Sequence, residues 1–198
     1  MSIVIGLTGM TGAGKSTVAE ILKKHGAVVV DADRAARDII TLPEIINRLC
    51  EAFTIDILTE IGQINRSELA KHAFINKESA QILSNITHPR IIEECQRQIE
   101  EYKKQNIPLI LLDAPLLYQS GTETMCDKVI FVKTNRQIQL ARIIRRDGLT
   151  QAQAEARIAV QGNMARYEKK ANYVIENNGS VEDMENQCIN IIKMIHIS

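Results

Sequence analysis

The chain has 198 residues, 45% of them apolar, which suits one core with inserted lobes and excludes wholesale disorder. Its 24 basic and 24 acidic residues cancel, and aromatics make up only 4%, which argues against a general nucleic-acid binder and a base-stacking platform but leaves room for a local basic cleft. No stretch approaches the roughly 18 apolar residues of a membrane span. The N-terminus carries no basic stretch ahead of its short apolar run and does not read as a signal peptide. Cys50, Cys95, Cys126 and Cys188 form no C-x-x-C pair and have no histidines at zinc spacing, so they read as buried, reduced thiols of a cytosolic chain.

In chain order, Ile3 to Leu7 reads as a buried strand, and Ser16 to His25 as a helix with Val18, Ile21 and Leu22 on one face. Val28 to Val30 is a second strand, closed by Asp31. Residues from about 42 to 105 read as helical, with no strand among them. Leu109 to Leu112 is a third strand, closed by Asp113, and Val129 to Val132 a fourth. Residues 135–170 are helical, charged and rich in arginine. Tyr173 to Ile175 is a fifth strand, and a last helix runs from about Val181 to Ile195 behind Ser180 as its N-cap. Runs that are apolar throughout indicate strands covered on both faces, hence a parallel sheet between helical layers. In such a sheet ligands bind beyond the carboxyl ends of the strands. Both helical segments leave from those ends, so 41–105 reads as a substrate lobe and 135–170 as a lid on a core of 1–40, 106–134 and 171–198.

Gly9-Met10-Thr11-Gly12-Ala13-Gly14-Lys15-Ser16 fits G-x-x-x-x-G-K-[ST] at every fixed position, between a strand and a helix as that motif requires. Chance alone yields the pattern in about one chain of this length in a hundred. Glycines let backbone N–H groups approach phosphate oxygens, and the following helix adds unpaired donors and partial positive charge. Gly12, Ala13, Gly14, Lys15, Ser16 and Thr17 are therefore expected on the phosphates of ATP, with Lys15 reaching the β- and γ-phosphates and the Ser16 hydroxyl on magnesium. Asp113 resembles a Walker B carboxylate and is expected on the same metal; its alternative is to cap a turn.

Asp31-Ala32-Asp33 ends the second strand. If that strand neighbours the first, these carboxylates lie beside the loop, and Asp33 can orient an acceptor hydroxyl and take its proton. The alternative is that Asp33 caps a helix starting at Arg34. Arg142, Arg145 and Arg146 share a helical face, flanked by Arg136, Arg157 and Arg166. They read either as a lid over a polyphosphate or as a solvated face paired with Asp147 and Glu155. His88, ahead of Pro89, is a possible substrate contact or a structural histidine.

Taken together these residues resemble the dephospho-coenzyme A kinase family almost end to end. The resemblance is carried by Gly6 to Gly9 and the loop, Asp31-Ala32-Asp33, the segment Gly62 to Leu69, His88-Pro89, Ala114 to Leu117, Arg142, Arg146-Asp147-Gly148, Arg157-Ile158, Gln161, and Tyr173 to Gly179. It implies an α/β fold of three layers, the P-loop NTPase fold: a five-stranded parallel sheet, a helical substrate-binding insertion and a helical lid. It implies transfer of the ATP γ-phosphate to the 3′-hydroxyl of dephospho-coenzyme A, with magnesium. On that pattern Asp33 is the base, Lys15 and Arg142 act with it in catalysis, and Arg146 contacts ATP from the lid. Arg66, His88 and Arg157 hold the acceptor. The sequence departs from the pattern at Met10 and Thr54, where the family commonly has glycine, and at Asn65, Gln119 and Asn172, commonly acidic. A kinase for another small alcohol or nucleotide is the rival reading. A GTP switch is disfavoured, because no N-K-x-D motif is present. No heptad seam is visible, so a monomer is expected.

Overall fold

The computed structural model describes residues 2–197. Five strands, β1 (Ile3–Gly9), β2 (Val28–Asp31), β3 (Leu109–Asp113), β4 (Lys128–Lys133) and β5 (Tyr173–Glu176), form one parallel sheet in the order β2-β3-β1-β4-β5. The chain divides into two compact units, 1–30 with 99–198, and 31–98.

In the first unit, alternation along the strands sends Ile5, Leu7, Leu109, Leu111, Ile130, Val132 and Ile175 to one face. There they pack on Val18, Ile21 and Leu22 of α1 (Lys15–Lys24) and on Met184, Cys188 and Ile191 of α9 (Val181–Ile197). The opposite face carries Phe131 against Met164 and Tyr167, with Tyr167 stacked on Tyr118 at 5.0 Å between ring centroids. Ser180 caps α9 as expected, its hydroxyl accepting from the Asp183 N–H at 3.1 Å while the Asp183 carboxylate accepts from the Ser180 N–H at 2.8 Å.

β3 lies between β2 and β1, so the second strand does not neighbour the first. Strand patterns identify strands but not their order; here the chain inserts β3 beside β1, in register from Ile3 with Leu109 to Leu7 with Asp113. The carboxylate beside the loop is thus the one that ends β3.

The second unit is built from α2 (Ala32–Ile39), α3 (Pro43–Phe53), α4 (Arg66–Ala73) and the first part of α5 (Lys77–Lys104). Its core joins Ile39, Ile45, Leu49, Phe53, Ile57, Leu69 and Ile86. It takes in α2, which the sequence reading left with the sheet, because Ile39 buries its side chain in this cluster. α5 continues through Pro89. All four cysteines are free thiols; Cys95 and Cys188 are buried, whereas Cys50 and Cys126 are only partly covered. Among the described residues no helix is long and apolar enough to cross a membrane.

Candidate active site

The loop follows β1 and ends where α1 begins. Gly14 is the N-cap of α1 in a left-handed conformation (φ 93°), and a Cβ there would overlap the Asn177 side chain. Gly12 also has positive φ, with Ile143 against the space its side chain would take. The glycines are therefore required both by conformation and by contact.

The loop's backbone groups can be accounted for one by one. The Met10 N–H donates to the Val132 carbonyl (3.0 Å) and the Ala13 N–H to the Met10 carbonyl (3.0 Å). The Thr11 N–H donates to Gln161 Oε1 (2.8 Å). The Thr17 N–H donates to the Gly14 carbonyl (3.0 Å). Among the described residues, no acceptor takes the N–H of Gly12, Gly14, Lys15 or Ser16. Of the six residues expected on phosphates, Ala13 and Thr17 thus have their N–H groups committed to turns, leaving Thr17 its hydroxyl. The four unpaired donors, at or next to a helix N-terminus, form an arrangement suited to an anion.

Lys15 Nζ pairs with the Asp113 carboxylate, both side chains being largely covered. Ser16 is exposed at the second position of α1. The loop lysine and the strand-ending carboxylate are thus brought together. No group of three or more His, Cys, Asp or Glu placed to hold a metal occurs among the described residues. One hydroxyl and one carboxylate still fit magnesium, which keeps several waters and takes few protein oxygens beside substrate phosphates.

The arginine-rich segment folds as α6 (Arg136–Asp147), α7 (Gln151–Val160) and α8 (Ala165–Glu168). Arg142 Nη1 donates to the Asn177 carbonyl (3.2 Å) and Nη2 to Asn177 Oδ1 (3.1 Å). Asn177, itself buried, donates from Nδ2 to the Ala13 carbonyl (2.7 Å). Arg142 thereby reaches the loop through one amide. Arg146 forks onto Asp147 at 2.7 and 2.8 Å, and Arg157 Nη1 meets the same carboxylate at 2.8 Å. The Arg146 guanidinium beside Asp147 holds that carboxyl below its ordinary range. Pairing with Asp147, considered from the sequence as one fate of these arginines, describes Arg146 and Arg157 but not Arg142. Glu155 bonds Gln151.

In the second unit, Asp31 rather than Asp33 caps α2: its carboxylate accepts from the Arg34 N–H at 2.9 Å. The helix starts two residues earlier than the capping alternative required, so Asp33 stands exposed in the first turn with no capping duty. Arg66, exposed at the start of α4, donates to the Arg37 carbonyl at 3.3 Å. His88 is half-buried on α5, and burial pushes its pKa down, which favours the neutral imidazole. Asn65 caps α4, accepting from Ser67 and Glu68 at 3.1 and 3.3 Å, a task asparagine performs as well as aspartate. Asn172 accepts from the Val129 N–H at 2.8 Å at the start of β4. Gln119 is exposed.

Reading from the sequence missed Gln139. It lies fully buried on α6 and donates from Nε2 to the Thr11 carbonyl at 2.9 Å. A polar residue on the same buried face as Ile143 was the available signal. A cavity of about 220 Å³ adjoins it, lined by Met10, Phe131, Gln139, Ile158, Gln161 and Met164 among others.

A family model described as dephospho-CoA kinase matches residues 3–183. The dephospho-CoA kinase of Carboxydothermus hydrogenoformans is 38% identical over 96% of this chain and 93% of its own. The solved dephospho-CoA kinase of Campylobacter jejuni is 31% identical, with a TM-score of 0.75 over 98% of both chains. A solved Thermus thermophilus protein is 30% identical, with a TM-score of 0.82 over 98% of this chain and 97% of its own. A match spanning nearly every strand and helix, the loop and the arginine-rich helices included, establishes that the chain belongs to the dephospho-CoA kinase family of P-loop enzymes.

Proposed function

We propose that the chain transfers the γ-phosphoryl group of ATP to the ribose 3′-hydroxyl of dephospho-coenzyme A, giving coenzyme A and ADP, the last step of coenzyme A synthesis. The observation that carries this reading is the set of four unpaired loop N–H groups at the start of α1, with Lys15 among them. On ATP binding, Lys15 exchanges Asp113 for oxygens of the β- and γ-phosphates. Magnesium, when bound, neutralises charge on those phosphates; Ser16 and Asp113 would hold it.

Asp33 accepts the proton of the 3′-hydroxyl as its oxygen bonds to the γ-phosphorus and the bond to the ADP oxygen breaks. Its exposed place in the first turn of α2 supports this role, since no backbone N–H holds it as a cap. Arg142 places positive charge on the moving phosphoryl group, Arg146 on ATP, and Arg157 on the acceptor. Their anchoring by Asn177 and Asp147 supports the reading, because a guanidinium already oriented loses less freedom when it engages. Arg66 and His88 hold the acceptor, the neutral imidazole as a hydrogen-bonding group. Closure of the lid keeps water from the γ-phosphate. The balanced charge suits a protein that binds no nucleic acid, the four free thiols a cytosolic one, and a sequence with no visible heptad seam a monomer.

The test is ADP release from ATP and magnesium with dephospho-coenzyme A, adenosine, nucleoside monophosphates and shikimate offered in turn. Stimulation by dephospho-coenzyme A above the others is expected; stimulation by another acceptor alone would assign a different P-loop kinase.

A further inference from the structure

The loop must turn its N–H groups toward an anion, and its carbonyls must then find donors elsewhere. Two glutamines from the lid segment meet that need. Gln161, immediately after α7, bonds the loop at both ends of its amide: Nε2 donates to the Gly9 carbonyl (3.0 Å) and Oε1 accepts from the Thr11 N–H (2.8 Å). This side chain imitates a peptide group pairing with a strand, extending the hydrogen-bonded edge of β1 by one rung. Gln139 on α6 takes the Thr11 carbonyl, while its own Oε1 has no partner among the described residues. A fully buried amide that leaves one end unbonded carries a cost. The one hydrogen bond this amide makes, to the Thr11 carbonyl, is what offsets that cost.

From this geometry we infer that Gln139 and Gln161 are positioning residues for phosphate transfer: they lock Gly9 to Thr11 so that the Gly12, Gly14, Lys15 and Ser16 amides present one anion site, and they tie the two long lid helices to that site. The inference deepens the proposed kinase reading and rests on the loop binding ATP. The amide's direction is essential. A carboxylate at 161 still accepts from Thr11, but it turns a second acceptor onto the Gly9 carbonyl and brings negative charge toward the phosphates. Neither glutamine is required to touch substrate. Both act through the backbone.

The experiment compares wild type, Gln161→Glu and Gln139→Met by equilibrium titration with magnesium-ATP, by KM for each substrate, and by thermal unfolding without ligand. Gln161→Glu is expected to weaken ATP binding about tenfold. Its KM for dephospho-coenzyme A should stay within about threefold, and its ligand-free melting temperature within a few degrees of wild type. Gln139→Met removes the unbonded buried oxygen together with the donor, so it should weaken ATP binding severalfold without loss of thermal stability. ATP affinity within about twofold of wild type in both variants overturns the inference, and so does a fall in stability with affinity intact. A wild-type protein that binds no ATP overturns the loop assignment and the inference with it. A wild type that binds ATP but ignores dephospho-coenzyme A overturns only the choice of acceptor, because the titration still reports on the glutamines.

Discussion

On the proposed function, the phosphate loop and the helical unit 31–98 present charge to a ligand by different means. In the loop the proposed binding groups are main-chain amides, and every committed N–H has a named partner. In the helical unit they are side chains on helix surfaces: Asp33 and Arg66 exposed, His88 half-buried. The first device is built into the backbone before any ligand arrives. The second depends on flexible side chains and on a fold that carries visible strain. Thr54 adopts φ 75° and ψ 167°, a region essentially reserved for glycine. Ile55, Ile61, Phe74 and Ile75 in the same unit are strongly exposed.

Substitutions should separate the two devices. The largest effect is expected at Lys15: replacing it by alanine should lower kcat/KM by about 10³ and weaken ATP binding, as steady-state rates and titration would show. An unchanged rate would remove the ammonium from the site. Asp33→Asn should lower turnover by roughly 10² while ATP affinity stays near wild type, a split that no loop substitution should reproduce. Near-normal turnover would take the proton-accepting role from Asp33.

Smaller effects should appear in the stability of the helical unit. Thr54→Gly should raise it by about 1 kcal/mol in urea unfolding, the relief of the strained backbone outweighing the greater freedom of glycine in the unfolded chain. A loss of stability would mean that the Thr54 side chain, rather than its backbone, sets that turn. The smallest effect concerns Glu94, whose carboxyl the hydrogen bond from Arg97 pulls down to about 2. A carboxyl lowered in the folded state stabilises at pH values above its ordinary range, and that stabilisation is lost as pH falls through about 2. Arg97→Met should therefore cost about 0.5 kcal/mol at pH 7, the size of a solvent-screened pair, with the difference closing between about pH 4 and pH 2. A difference independent of pH would assign the loss to packing instead.

How much of this was legible in the sequence follows the same division. The loop was legible because glycine and lysine at fixed spacing specify a backbone shape, and Asp113 because it ends an apolar run. The strand order was not, since β3 enters beside β1 only after the whole helical unit has passed. Asp31 and Asp33 offered the same chemistry two residues apart, and only the start of α2 separates the cap from the free carboxylate. The contacts of Gln139 and Gln161 were hidden for a different reason: they bridge 128 and 150 residues, and no local pattern encodes a hydrogen bond of that span. Thr54 could be flagged as a departure from glycine, but the strain it carries became visible only with the backbone angles.

On the proposed function, the loop amides grip the triphosphate so that its terminal group passes to one ribose hydroxyl. A single turnover with ATP labelled at the γ-phosphorus, magnesium and dephospho-coenzyme A tests this directly. The label is expected as a phosphomonoester on the 3′-oxygen of the product. Label recovered only as inorganic phosphate, or on any other oxygen of the acceptor, would contradict it.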